Sequence, residues 1–156
     1  MSQTEFDPLL IDKTYSEMNT MSRRRELIAI GNYTLHQRCL GKGTFASVEL
    51  SQHNVLKKDV ALKVIDKNNI KDEYVAKNFQ KEAQILAQVW HPNIVKLLEV
   101  VQSRDFFCVA LELCPDGSLL DLLNQHGKLA NVHAKRITRQ MVAGLVYLHE
   151  KNIIHR

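Results

Sequence analysis

Two features of this chain could handle a phosphate, and a third residue could hold one of them in place. The stretch Leu40-Gly41-Lys42-Gly43-Thr44-Phe45-Ala46-Ser47-Val48 carries two glycines two positions apart. Glycines in a turn let backbone N–H groups approach the oxygens of an anion closely. Lys63 stands inside Val60-Ala61-Leu62-Lys63-Val64-Ile65, with apolar residues on both sides. A lysine rarely enters such a setting unless an anion meets it there. Further on, Val75, Phe79, Glu82, Ile85, Leu86 and Val89 recur at helical spacing, which predicts Glu82 in the middle of an apolar stripe. An unpaired buried charge costs several kcal/mol, so Lys63 and Glu82 are expected to meet. A plain stabilising ion pair is the bland alternative. The glycine turn next door favours a phosphate-bearing ligand.

The elements that must position these residues alternate in short runs. Tyr33 to Leu40, Phe45 to Gln52 and Asp59 to Ile65 read as three strands joined by turns. Along the third, period two places Ala61, Lys63 and Ile65 on one face and Val60, Leu62 and Val64 on the other. Leu97 to Gln102 and Phe106 to Leu113 flank Ser103-Arg104-Asp105 and read as a hairpin. A helix is predicted from Glu73 to Val89, closing before His91-Pro92-Asn93, where proline biases His91 away from helical geometry. Past Pro115-Asp116-Gly117 the pattern turns helical. Ser118 can cap a short helix reaching about Asn124. A long helix starts near Asn131, with Ala134, Ile137, Met141, Leu145 and Leu148 on one stripe. Five strands with one inserted helix, followed by helices, make an α+β arrangement. Residues 1 to 30 are polar and mixed and read as a flexible lead-in, with Leu27-Ile28-Ala29-Ile30 as a short docking patch.

Composition narrows the function further. The chain has 156 residues, 45% hydrophobic and 24% charged, which is ordinary for a globular domain. A net charge of +4 with scattered basic residues, Arg23-Arg24-Arg25 apart, argues against a nucleic-acid footprint. Cys39, Cys108 and Cys114 make an odd count with no metal-like spacing, as expected of free thiols in a reducing compartment such as cytoplasm or nucleus. No apolar run approaches the length of a membrane span. A dinucleotide-binding fold would need a helix directly after Gly41-x-Gly43, whereas Ala46, Val48 and Leu50 alternate with Phe45, Ser47 and Glu49 as in a strand. Asp66 lies downstream, but in the wrong context for a ribose contact.

From about Asn32 to Arg156 the chain resembles the front half of a eukaryotic protein kinase of serine/threonine type. The group it looks most like is the calmodulin-dependent and AMP-activated-kinase-related one. Four motifs carry the resemblance: the glycine loop, Val60-Ala61-Leu62-Lys63, Glu82 at helical phase, and His155-Arg156. The resemblance implies ATP as ligand, Gly41 to Val48 over its phosphates, Lys63 on the α- and β-phosphates, and Glu82 holding Lys63. By the same matching, Leu40, Val48 and Ala61 would sandwich adenine, Leu111 would wall its pocket, and the backbone of Glu112 and Cys114 would hydrogen-bond its edge. Leu86, Leu97 and His155 resemble members of a packed column. The implied organisation is a kinase N-lobe over residues 31–113, then a hinge and the start of a C-lobe over 114–156.

Ala46 replaces the third glycine of the loop. Ser118 stands where kinases of basic substrates often carry a glutamate, which puts an arginine-rich preference in doubt. His155-Arg156 resembles the start of the His-Arg-Asp loop, so the catalytic aspartate, the magnesium ligands and the activation segment are expected beyond residue 156. The expectation is a fragment that binds ATP without transferring phosphate to protein hydroxyls. A pseudokinase or truncated regulatory isoform, acting through nucleotide or partner binding, is the alternative, because it would share this front half.

Overall fold

The computed structural model describes residues 29–155 apart from 71 and 72, and the side chains of residues 73–75 are also outside it. Of the lead-in read over residues 1–30, residues 1–28, Leu27 and Ile28 included, therefore lie outside the described residues, as does Arg156. Six strands form one antiparallel sheet: β1 (Ala29–Ile30), β2 (Tyr33–Lys42), β3 (Ala46–His53), β4 (Asp59–Asp66), β5 (Leu97–Gln102) and β6 (Phe106–Glu112), in the order β1-β2-β3-β4-β6-β5. Helices α1 (Glu73–Ala87), α2 (Leu119–His126) and α3 (Asn131–Glu150) complete the α+β fold. The five expected strands are joined by a two-residue sixth, β1, from the end of the lead-in. Ile30 is buried, and Ala29 and Ile30 pair with Thr34 and Tyr33.

Each face of β4 feeds a separate core. Val60, Leu62 and Val64 pack with Ile30, Tyr33, Leu35, Cys108 and Ala110. Ile65, on the other face, packs with Ala83, Leu97, Phe107 and Val109, with Phe79, Leu86 and Leu111 half-buried against them. Alternation along one strand thus builds two apolar layers, which is why so short a sheet needs so many branched residues. Burial in the first layer pushes the Cys108 thiol up to about 12, so it stays protonated, and all three cysteines are free.

The sheet curls until its second strand meets its last. The hydroxyl of buried Tyr33 in β2 donates to Glu99 Oε2 in β5 at 2.6 Å. Burial first, and the Glu99 carboxylate second, hold the phenol above its usual range, so it remains a donor. Gly31, at φ +55°, makes the same closure possible. A Cβ there would lie 3.2 Å from Val101 Cγ1 in a conformation that side chains disfavour. Tyr33→Phe is expected to cost about 1–2 kcal/mol, because Glu99 loses its donor while keeping partial access to water. Thermal unfolding reads this, and an unchanged Tm would mean that the bond closes nothing.

Contacts divide the described chain into two units. One holds the residues up to Gln88 with Leu97–Leu113; the other holds Val89–Lys96 with Cys114 onward. In the second unit, Ser118 caps α2 with a complete box. Its Oγ accepts from the Asp121 N–H at 3.1 Å, and Asp121 Oδ2 accepts from the Ser118 N–H at 3.2 Å. The hydrogen bonds from Ser118 hold the Asp121 carboxyl below its ordinary range. Helix α2 runs to His126, two residues beyond expectation, and ends on Gly127 at φ +76°. Helix α3 matches its predicted start, but its covered line differs. Gly144 and Leu148 are buried and Tyr147 half-buried, whereas Met141 and Leu145 are exposed. Asn93 O lies 3.4 Å from where a Gly144 Cβ would be, and the Trp90 N–H donates to the Tyr147 hydroxyl at 3.0 Å. Those two approaches turn the helix off the stripe that spacing alone selects.

Candidate functional site

The glycine stretch forms the hairpin between β2 and β3. The Gly43 N–H donates to Ala46 O at 2.8 Å, and Gly41 and Lys42 pair with Val48 and Ser47. Two register shifts lie between Leu35 and Gly41, and Gln37 within them takes φ +54°. Gly41 to Phe45 are exposed; Ala46, Ser47 and Val48 are half-buried. Neither Gly41 nor Gly43 has a left-handed φ. A Cβ at Gly41 would meet nothing within 4 Å, and one at Gly43 only Ala46 O at 3.5 Å. The protein's own packing therefore gives no reason for glycine at either position. Close approach of an outside group to the backbone would give one, so this hairpin suits a phosphate-bearing ligand.

Register sets Lys63 beside the hairpin. Lys63 pairs with Val48 on one side and Val109 on the other, and Ala61 pairs with Leu50 and Leu111. Directly opposed residues share a face, so Val48, Lys63, Ala61 and Leu111 all lie on the face toward α1. Lys63 Nζ donates to Glu82 Oε1 at 2.6 Å. Its ammonium also stands 5.5 Å from the ring centroid of Phe79, a contact that adds to the carboxylate's hold. Ile65, Ala83 and Leu86 complete a narrow hollow around the pair.

The pair meets, but Glu82 is not where its spacing predicts. Its side chain is 60% exposed, against 22% for Lys63. The buried line of α1 is Phe79, Ala83 and Leu86, and Glu82 occupies its flank; Ile85 is exposed as well. The pair is thus buried at one end only. Solvent reaches the carboxylate, so its worth to stability is small, and a purely structural ion pair is a poorer account of it than a positioned lysine.

The other expected residues fall as follows. Leu40 and Phe45 are exposed at 41% and 43%, on the hairpin rather than in a core. Leu111 and Glu112 close β6, and Cys114, exposed, opens the second unit. His155 is exposed. Asp66 has a local task, accepting the Asn68 N–H at 2.9 Å as cap of the 3-10 turn Lys67–Asn69. Spacing did not single out Phe79 as a partner of Lys63, although it stands three residues before Glu82 and so on the same side of the helix. It also missed Lys67, whose Nζ donates to Ser103 O at 2.6 Å across the β5–β6 turn. Among the described residues no group of three or more metal-ligating side chains gathers, and no helix is long and apolar enough to cross a membrane.

A curled antiparallel sheet with one helix against it, a glycine hairpin and a lysine–glutamate pair define a protein kinase N-lobe followed by the first C-lobe helices. The chain belongs to the protein kinase domain family, whose sequence pattern matches residues 34–156. It is 38% identical over 128 residues to the hormonally up-regulated neu tumor-associated kinase of Mus musculus, covering 81% of this chain and 18% of that protein. It is 35% identical over 133 residues to the serine/threonine-protein kinase SIK3 homolog of Danio rerio, covering 85% of this chain and 11% of that one. The crystal structure of Rad53 1-466 in complex with AMP-PNP superposes with a TM-score of 0.69 at 25% identity, over 80% of this chain and 32% of the other. The chain therefore spans less than a fifth of the length of these two curated relatives.

Proposed function

We propose that this chain is the ATP-binding part of a serine/threonine protein kinase that moves the γ-phosphate of ATP to protein hydroxyls. The observation that carries this reading is Lys63, held by Glu82 at 2.6 Å on the face beneath the glycine hairpin. Hairpin N–H groups between Gly41 and Ser47, other than the Gly43 N–H that Ala46 O already accepts, would donate to phosphate oxygens, and Lys63 would neutralise charge on the α- and β-phosphates. Val48 and Ala61, half-buried on the same face, offer small apolar surface to a flat ring. Leu40 above them, Leu111 beside them and the backbone of Glu112 and Cys114 complete the adenine contacts that family membership suggests. Magnesium would be held by residues beyond those present. ATP bound to a relative's fold as its analogue AMP-PNP supports the ligand class. The lobe division at residues 113 and 114, and residence in cytoplasm or nucleus, belong to the same reading. By it, the 156-residue chain binds nucleotide without catalysing transfer.

Binding of ATP to the chain, followed with a fluorescent analogue and competed with unlabelled ATP, tests the reading. Loss of competition in Lys63→Met supports it, and equal competition by wild type and variant would overturn it. Glu82→Gln separates position from contact. Within a complete kinase domain it is expected to lower turnover about tenfold, less than removal of Lys63 itself, because it loosens the lysine without deleting the phosphate contact. A double-mutant cycle should show the two as one unit. Strictly additive losses would mean that the pair is not used together.

A further inference from the structure

At the end of the sheet away from the glycine hairpin, the turn between β3 and β4 holds two adjacent aliphatic side chains out into water. Val55 and Leu56 are 74% and 64% exposed. Such residues are commonplace singly, but the backbone beneath this pair is tied down. The Val55 and Leu56 N–H groups both donate to His53 Nδ1 at 3.2 Å, and the His53 ring meets Tyr33 edge to face at 5.0 Å. The Lys57 N–H donates to His53 O at 2.8 Å, and the His53 N–H to Lys58 O at 2.9 Å. Asn54 joins the turn to its neighbours. Its N–H donates to Asn32 O at 2.7 Å, and Thr34 Oγ1 lies 2.6 Å from Asn54 Oδ1 as its donor. Lys57 takes a left-handed φ of +54° to close the turn. The two aliphatic side chains are thus presented on a fixed backbone, with little chain freedom left to lose when something covers them.

Charge around the tip selects what covers it. Lys57 and Lys58 follow the aliphatic pair directly and are exposed. Asp59, the acid at the base of the turn, already accepts from Gln52 Nε2 at 3.2 Å and lies 3.9 Å from His36 Nε2. More cations arrive along the chain. Arg23-Arg24-Arg25 ends four positions before Ala29, with Glu26 the one acid between. Ala29 pairs with Thr34, the residue bonded to Asn54 of the turn. Four residues of chain reach at most about 14 Å, so these charges stay near the same end of the sheet. An apolar tip with cations at its base matches an anionic lipid surface, whose acyl boundary takes aliphatic groups while its headgroups meet the ammonium ions. We propose that the β3–β4 turn is a peripheral membrane anchor, with Val55 and Leu56 entering the interface of an anionic bilayer and Lys57 and Lys58 on its headgroups. Strand β3 runs eight residues, about 25 Å, from Ala46 at the glycine hairpin to His53 at the tip. The hairpin therefore stays clear of the bilayer, and anchoring needs no nucleotide.

Co-sedimentation of the 156-residue chain, without nucleotide, with vesicles of phosphatidylcholine alone or with about 30% phosphatidylserine provides the test. Binding is expected with phosphatidylserine and should weaken as salt rises. Val55→Ser with Leu56→Ser keeps the charge and every N–H of the turn, and should lower the partition coefficient about 10- to 100-fold. Lys57→Gln with Lys58→Gln should lower it roughly 5-fold for each charge removed. Amide exchange along β3 and β4, measured without vesicles, should be the same in these variants as in wild type, which separates lost binding from lost fold. Place is read separately. Leu56→Trp should be quenched by brominated acyl chains well beyond the wild-type chain, whose single tryptophan is Trp90. Equal binding to neutral vesicles overturns the proposal, as does quenching of Leu56→Trp no greater than wild type. Binding that survives the two serines overturns it too, since another apolar face would then carry it. Capture by soluble polyglutamate that ignores the two serines would assign the lysines to an acidic protein instead, and the bilayer would fall as the occupant.

Discussion

Lys63→Met, made where this chain stands within a complete kinase domain, is expected to lower phosphoryl transfer roughly 100- to 1,000-fold, the usual cost of removing one preorganised electrostatic contact. Thermal stability should move little, and the geometry gives two reasons. Methionine keeps the length of the lysine stem and its sulfur can lie against the Phe79 ring, 5.5 Å from which the ammonium now stands. The carboxylate left behind is 60% exposed, so Glu82 returns to water rather than remaining as an uncompensated buried charge. Had the pair been buried at both ends, the same substitution would be expected to unfold the domain. Turnover and Tm measured together decide the matter. Near-wild-type turnover removes Lys63 from the mechanism, and a large drop in Tm makes its role structural.

The second large effect concerns self-association. Met141, Val142, Leu145 and Val146 are 57%, 52%, 40% and 50% exposed, adjacent turns of one face of α3. Val132, Leu120 and Ile154 are more exposed still. Covering one large apolar side chain is worth about 1.5–3 kcal/mol, so several together rival the stability of a small domain. The 156-residue chain on its own is therefore expected to associate at micromolar concentrations, with α3 among its least protected elements. Met141→Lys together with Leu145→Glu should shift it toward monomer in sedimentation velocity. A wild-type chain that stays monodisperse when concentrated, with strong amide protection along α3, would show that this face needs no cover.

Much of the site was legible because strands and turns write their geometry locally. Alternation in Val60 to Ile65 predicts which side Lys63 takes, and β4 divides its residues between two cores accordingly. The glycines predict a hairpin without requiring the rest of the molecule. Depth was not legible. Helical spacing says that Glu82 neighbours Phe79 and Leu86, yet whether the stripe centres on Glu82 or on Ala83 depends on how α1 rolls against β5 and β6. A small residue won because it lets the helix sit close, with Ala83 only 5% exposed. The exposure of Met141 and Leu145 has the same origin, since Asn93 and Trp90 fix the roll of α3 from another part of the chain. Lys67 illustrates the remaining gap. Its bond reaches Ser103, 36 positions away, and no local pattern announces such a partner.

The closure of the curled sheet bears on how the protein is made. Tyr33 finds Glu99 across 66 positions, so the phenol that completes the first core leaves the ribosome long before its acceptor. At about 5–20 residues per second, the interval is roughly 3–13 seconds. For that time β2 can pair with β3, and β3 with β4, while Ile30, Tyr33 and Leu35 wait for the Cys108 and Ala110 side of their layer. The nascent sheet is therefore a half-built layer with one oily face open, and its completion is a single late event that arrives with β5 and β6. That timing leaves the N-terminal strands with apolar surface open to wrong partners during synthesis, even though in the finished fold Ile30, Tyr33 and Leu35 are buried.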